Sequence, residues 1–123
     1  MSECDFIKHY ETLEGWRSVL LMSITGTAFG RAYMYDDEPT VIYLDMLSVN
    51  EYVRKQGIGT MLQEMREHIG QEWGATESWL WVKKDSWMHD WYKRRGYIDN
   101  VERDEKHIWM KKILQDTNIE SLH

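Results

Sequence analysis

Two glycines one residue apart, Gly57 and Gly59, stand directly behind Arg54 and Lys55 in VNEYVRKQGIGTMLQEM, residues 49–65. A strongly helical run follows them at once. The first amides of a helix have no intrahelical acceptor, and the helix dipole adds about half a positive charge there. Glycine lets an anion approach the backbone without a Cβ in the way, and the two cations add charge beside it. The residues suit a diphosphate. A Walker loop is excluded, because no Lys-Ser or Lys-Thr follows Gly59. A dinucleotide fingerprint lacks its third glycine, since Thr60, Met61 and Leu62 come next. What remains is R-x-x-G-x-G, filled by Arg54, Gly57 and Gly59. Read alone, the same residues also fit a turn that merely ends a strand.

The elements that must hold this loop can be read on either side of it. Residues 17–25, 27–35 and 40–49 each read as a strand rich in β-formers, the first two joined at Gly26 as a hairpin. Residues 2–12 give no clear signal and fit either a first strand or an ordered lead-in. After the loop, Ile58, Met61, Leu62, Met65 and Ile69 recur at spacings of three and four, an apolar helix stripe that Gly74 can end. SWLWVK, residues 78–83, predicts a central strand. Asp85 or Ser86 can cap a second helix through WMHDWYKRR, stopped by Gly96. HIWMKKI, residues 107–113, closes the order strand, strand, strand, helix, strand, helix, strand. That order predicts a mixed α+β domain in the broad α/β class, with a central mixed sheet and a parallel crossover around the first helix. One domain over residues 1–123 is expected, with its motif-bearing core in 17–113 and a polar tail at 115–123.

Composition narrows the function classes. A 42% apolar share with 29% charge predicts a folded chain. Seven Trp, seven Tyr and eight Met are a large supply for 123 residues, enough to line a pocket as well as a core. A net charge of −6 argues against nucleic acid and mildly favours a cationic substrate. Cys4 is the only cysteine, so no internal disulfide or cysteine zinc cluster forms, and no His/Asp/Glu spacing predicts a metal site. No run is long enough to span a membrane, and MSECDFIKHYE lacks an apolar signal core. A cytoplasmic location is expected. His89 and His107 read as solvated or packing residues, and Trp79, Trp81, Trp87 and Trp91 as core, with an aromatic cage for an alkyl cation as the alternative for one or two of them.

LSVNEYVRKQGIGTML resembles the acetyl-CoA-binding motif of the GNAT-type N-acetyltransferases, L-x-V, four residues, then R-x-x-G-x-G/A. Leu47, Val49, Arg54, Gly57 and Gly59 stand at the matching positions. DSWMHDWYKRRGY resembles the family's second cofactor segment, which ends F/L-Y-x-x-x-G-F/Y, through Trp91, Tyr92, Gly96 and Tyr97. Asp85 stands where many members have Asn, and Met88 where many have a small residue. The resemblance implies a GNAT-like acyl-CoA N-acyltransferase fold with acetyl-CoA as co-substrate and no metal. The pantetheine arm would pair with the backbone around Leu47, Ser48 and Val49. The pyrophosphate would sit on the amides from Arg54 through Lys55, Gln56, Gly57, Ile58 and Gly59 to Thr60, and Asp85 would lie near the arm. The family usually has a strand and two helices before its second strand, whereas some sixteen residues precede Arg17. That points to a minimal version, its acceptor side open or completed by a partner chain, with a homodimer as one form.

The family motif makes Tyr92 the candidate acid for the departing thiolate, since a phenol with pKa ~10 keeps its proton at pH 7. YLDMLSV resembles the YLE-type sequences of polyamine and diamine acetyltransferases, which makes Asp45 the candidate base or amine-binding group. Alternation along the third strand would put Asp45, Leu47 and Val49 on one face. The acceptor expected is a small cationic amine, a lysine side chain or a protein N-terminal amine, with direct attack in a ternary complex. The rival reading is a non-catalytic CoA-binding module that regulates a partner.

Overall fold

A computed structural model describes residues 5–54 and 56–114. Cys4, Lys55 and the tail at 115–123 lie outside the described residues. Seven strands form one sheet in the order β1-β2-β3-β4-β5-β7-β6. They are β1 (Phe6–Leu13), β2 (Trp16–Ser23), β3 (Ala28–Tyr35), β4 (Val41–Val49), β5 (Glu77–Lys83), β6 (Ile98–Glu102) and β7 (His107–Ile113), with helices α1 (Ile58–Glu72) and α2 (Trp87–Lys93). All pairs are antiparallel except β4 with β5, which α1 connects.

The five strands and two helices expected from sequence are present, the first-strand alternative for residues 2–12 holds, and one strand, β6, is added. Residues 6–13 form β1, turned back onto β2 at Gly15, whose φ of +87° suits glycine. Their burial pattern is almost wholly exposed, so no period announces them. β6 was not anticipated: IDNVE is exposed along its whole length and is held in the sheet through its pairing with β7.

Both helices lie on one face of the sheet. Val19, Leu21, Ala28, Ala32, Ile42 and Leu44 are buried beneath α1, with Leu62, Met65 and Ile69 of its stripe above them. α1 sits almost flush on β4: a Cβ added at Gly70 would come within 2.7 Å of Ile42 Cγ2. At its C-terminus Ala75 N–H donates to Gly70 O at 2.8 Å, with Gly74 at φ +100° making the turn. α2 joins the same core through Trp91 and Tyr92. Ser86, rather than Asp85, caps it: Ser86 Oγ accepts from His89 N–H at 3.2 Å.

Candidate active site

The geometry turns on β4. Arg31 pairs with Asp45, yet Phe29 pairs with Ser48, so β4 carries one extra residue opposite Gly30. The extra residue is a β-bulge, and Met46 has a left-handed φ of 56° there. The bulge corrects the alternation expected from sequence. Asp45 points to the helix-free face, while Leu47 and Val49 pack against the core under the helices. An inserted residue reverses the side-chain phase beyond it, and a period-two reading cannot detect that. The β4–β5 pairing ends at Tyr43 and Trp79, so the bulged end of β4 runs on beside β5 without pairing to it.

A cavity of about 580 Å³ lies at this end of β4. Leu47, Ser48, Val49, Arg54, Gly57, Ile58, Gly59 and Thr60 line it, eight of the predicted cofactor-binding positions brought together. Gln56 and Asp85 do not line it. Asp85 is itself left-handed, at φ 58°, and its N–H donates to His89 Nδ1 at 2.9 Å. His89 is buried, with Nε2 2.7 Å from Asp99, which makes it a packing residue. Val53, Trp87, Met88, Trp91 and Arg95 line the cavity as well; the last four lie in the segment resembling the second cofactor segment, but none of the five was named individually as a binding residue. Trp87 and Trp91 both read as core from sequence; Trp91 fills that role too, whereas Trp87 is 66% exposed.

The glycines make an open cap. Gly57 precedes α1 at φ +80°, with no side-chain cap and open space where its Cβ would be. Gly59 fits the seam between Trp91 and Val49, which a Cβ would meet at 3.5 and 3.8 Å. Two cations flank these amides. Arg54 Nε donates to Val49 O at 3.0 Å. Arg95 stacks 3.6 Å over the Trp91 ring and donates from Nη2 to Thr60 Oγ1 at 3.0 Å. Its Nε is buried with no protein acceptor, and burial, then Arg94, lowers its pKa. An orphaned guanidinium N–H beside a helix start is a fit for an anion, and the wall of Leu47, Val49, Met88 and Trp91 fits an apolar arm.

The two candidate catalytic groups sit elsewhere. Asp45 is held by Arg31 through two bonds, Nε to Oδ1 at 2.8 Å and Nη2 to Oδ2 at 2.5 Å. That bidentate bond is also the leading cause of a raised Arg31 pKa. Tyr92 is 4% exposed and does not line the cavity; its hydroxyl meets Arg66 Nη2 at 3.5 Å. Arg66, on α1, is fully buried. Its five N–H groups reach Leu62 O, Arg31 O, Asp45 O, Gln63 Oε1 and Tyr92 Oη. Among the described residues no carboxylate pairs with it. A buried cation without a counter-ion costs on the order of several kcal/mol in desolvation. Arg66 continues the Leu62–Ile69 stripe, and Gly30 interrupts a strand opposite. Together these were the readable signs of a polar group in the core.

The fold and the cavity define an acyl-CoA N-acyltransferase architecture. The model of the acetyltransferase (GNAT) family matches residues 3–97, and the chain belongs to that family and is an acyltransferase. No curated protein matches the chain. Among solved structures it is similar to an acetyltransferase from Bacillus cereus (24% identity, TM-score 0.64, covering 85% of this chain and 80% of that one). It is also similar to Ard1 from Thermoplasma volcanium (16%, 0.66, 80% and 70%). A third is the PaiA N-acetyltransferase from Thermoplasma acidophilum, solved with coenzyme A (17%, 0.67, 81% and 62%). These similarities carry the fold. Among the described residues there is no metal-binding cluster and no helix long and apolar enough to cross a membrane.

Proposed function

We propose that the chain moves an acetyl group from acetyl-CoA to a primary amine by direct attack in a ternary complex. The observation that carries this is the cavity that joins an uncapped, glycine-bent helix start to Arg54, the orphaned Nε of Arg95 and an apolar wall on β4. Acetyl-CoA, when bound, supplies the acetyl group as a thioester. The amides from Gln56 to Thr60, with Arg54, Arg95 and the neighbouring Lys55, hold the pyrophosphate. Leu47, Ser48 and Val49 offer the unpaired end of β4 to the pantetheine arm as a strand partner. Asp85 belongs to the loop before α2 and stands outside the cavity lining.

Tyr92 gives its hydroxyl proton to the departing thiolate. The attacking amine must be neutral. An amine of pKa ~10.4 is neutral in only about one of 2,500 molecules at pH 7, a penalty of roughly 4.6 kcal/mol. Asp45 lies two residues past the last β4–β5 pair, on the helix-free face, and is the group that holds or deprotonates the amine there. Its oxygens are on Arg31, so the amine must share or displace that cation. The net charge of −6 and the Asp45 position favour a small cationic amine over a lysine side chain or a protein N-terminus.

Thiol release with acetyl-CoA and a panel of diamines, polyamines and lysine peptides tests the reading. Turnover is expected with at least one small amine. Tyr92→Phe should lower kcat about 100-fold while calorimetric CoA affinity stays within about twofold. No CoA uptake by the pure protein, or full turnover in Tyr92→Phe, would overturn it.

A further inference from the structure

The buried Arg66 has no place in the roles above, although its guanidinium ends at the hydroxyl of Tyr92. It is fully enclosed, and Gly30 is what makes room for it: a Cβ there would stand 3.3 Å from Arg66 Nε and 3.4 Å from its Cδ and Cζ. Nη1 donates to the carbonyls of Arg31 at 3.3 Å and Asp45 at 3.2 Å, the two residues paired beside the bulge. Nη2 donates to Gln63 Oε1 at 2.6 Å and to Tyr92 Oη at 3.5 Å. The last contact is at the outer limit of hydrogen-bond range. Gln63 is fixed in turn, because its amide donates to Tyr97 Oη and Glu67 Oε2, both at 2.8 Å.

A guanidinium donates and never accepts. The Tyr92 hydrogen therefore cannot point at Arg66. Among the described residues the only hydrogen bond recorded at Tyr92 Oη is the one it receives from Arg66. The phenol is thus buried and accepts one bond, and its proton has no acceptor among the described residues. One guanidinium links that oxygen to the Asp45 carbonyl, just past the point where β4 leaves β5.

We infer that Arg66 is a positioning residue for the transfer: by filling the acceptor side of Tyr92 Oη it turns the phenolic hydrogen toward the gap between β4 and β5. The inference rests on Tyr92 being the acid. In the step itself the Oη–H bond breaks and an S–H bond forms on the leaving thiolate. The electron pair stays on Oη, where the Arg66 cation faces the tyrosinate. Water returns the proton afterwards, since Arg66 cannot supply it.

Donor-only and donor–acceptor side chains at position 66 separate this from a packing role. Arg66→Lys keeps a cation that only donates and is expected to retain kcat within about threefold. Arg66→Gln offers an oxygen that can capture the Tyr92 hydrogen, and should lower kcat about tenfold or more with the acetyl-CoA KM within about twofold. Placed in Tyr92→Phe, Arg66→Gln should change kcat less than about twofold further, because its target is gone. Equal losses from Arg66→Gln with and without Tyr92, or no loss at all, would overturn the inference. Full turnover in Tyr92→Phe alone would instead remove the acid assignment on which it rests. Melting curves and CoA calorimetry report whether each variant folds. Neutron diffraction from crystals of the unsubstituted protein reads the same point without a variant. A deuteron on Tyr92 Oη directed into the gap supports the inference, and one directed at Gln63 or a core carbonyl ends it.

Discussion

On the helix side of the sheet, β2, β3 and β4 present Val19, Leu21, Ala28, Gly30, Ala32, Ile42 and Leu44. On the other side the same strands present Trp16, Tyr33, Tyr35 and Tyr43, joined from β5 and β7 by Trp79 and Trp109. Small side chains let α1 approach until Gly70 touches Ile42. No helix covers the second face among the described residues, and there broad rings shield one another. Tyr33 stacks on Tyr43 at 5.4 Å, and Trp109 meets the edges of Tyr43 and Trp79 at 5.9 and 6.2 Å. The lesson is that one sheet buries its two sides by different means. Close backbone approach serves one side, and lateral packing of large half-exposed rings serves the other.

The comparison can be broken most sharply at Gly70. Gly70→Ala drives a methyl into the core of Ile42, and overpacking of this kind costs about 3 kcal/mol. Thermal melting should fall by roughly 4 °C per kcal/mol for a chain of this size. Tyr33→Ala removes a half-buried ring from the other face and should cost about 1–2 kcal/mol. If its melting point falls as far as that of Gly70→Ala, the second face is core and the contrast fails.

Titration sharpens the same contrast. Burial, with Asp45 and Tyr35 beside it, raises the Tyr33 pKa to about 12. Burial and the Glu38 carboxylate raise that of Tyr43 as well. An unfolded tyrosine ionises near pH 10. The stability gained by keeping Tyr33 neutral is therefore complete below about pH 10 and is lost as pH rises to about 12. Denaturant midpoints measured across that window should fall with pH in the parent and fall less in Tyr33→Phe.

The smallest effect is expected far from either face, in the β6–β7 turn. Asp104 accepts from His107 Nδ1 and from the amides of Lys106 and His107, which lowers its pKa to about 2. Its contribution is present above the unfolded carboxylate pKa of about 4 and is lost as pH falls toward about 2. Asp104 is exposed, so Asp104→Asn should flatten the acid limb of the melting curve slightly and leave the neutral melting point close to the parent's.

Much of this contrast was legible in the sequence and part of it was not. The stripe of Ile58, Leu62, Met65 and Ile69 announced α1, and SWLWVK announced a strand inside the sheet. β6 gave no pattern because its exposed, polar residues make no face of their own. Position 45 was misassigned to the face of Leu47 because the alternation was carried through Met46, where the chain takes an extra residue. At the site, the loop from Arg54 to Thr60 was visible as a motif. Arg95 was not, since only the docking of α2 against α1 brings it to Thr60, thirty-five residues away.

The sequence by itself determined the glycine-bent start of α1, because a glycine at positive φ before a helix needs nothing beyond its own neighbours to leave the first amides uncapped. Tertiary structure alone decided where the candidate groups lie. It turned Asp45 away from the core, paired it with Arg31, and set Arg66 between Gly30 and Tyr92. Those contacts join residues far apart in the chain, and their geometry follows from strand register and helix packing, which local sequence pattern does not encode.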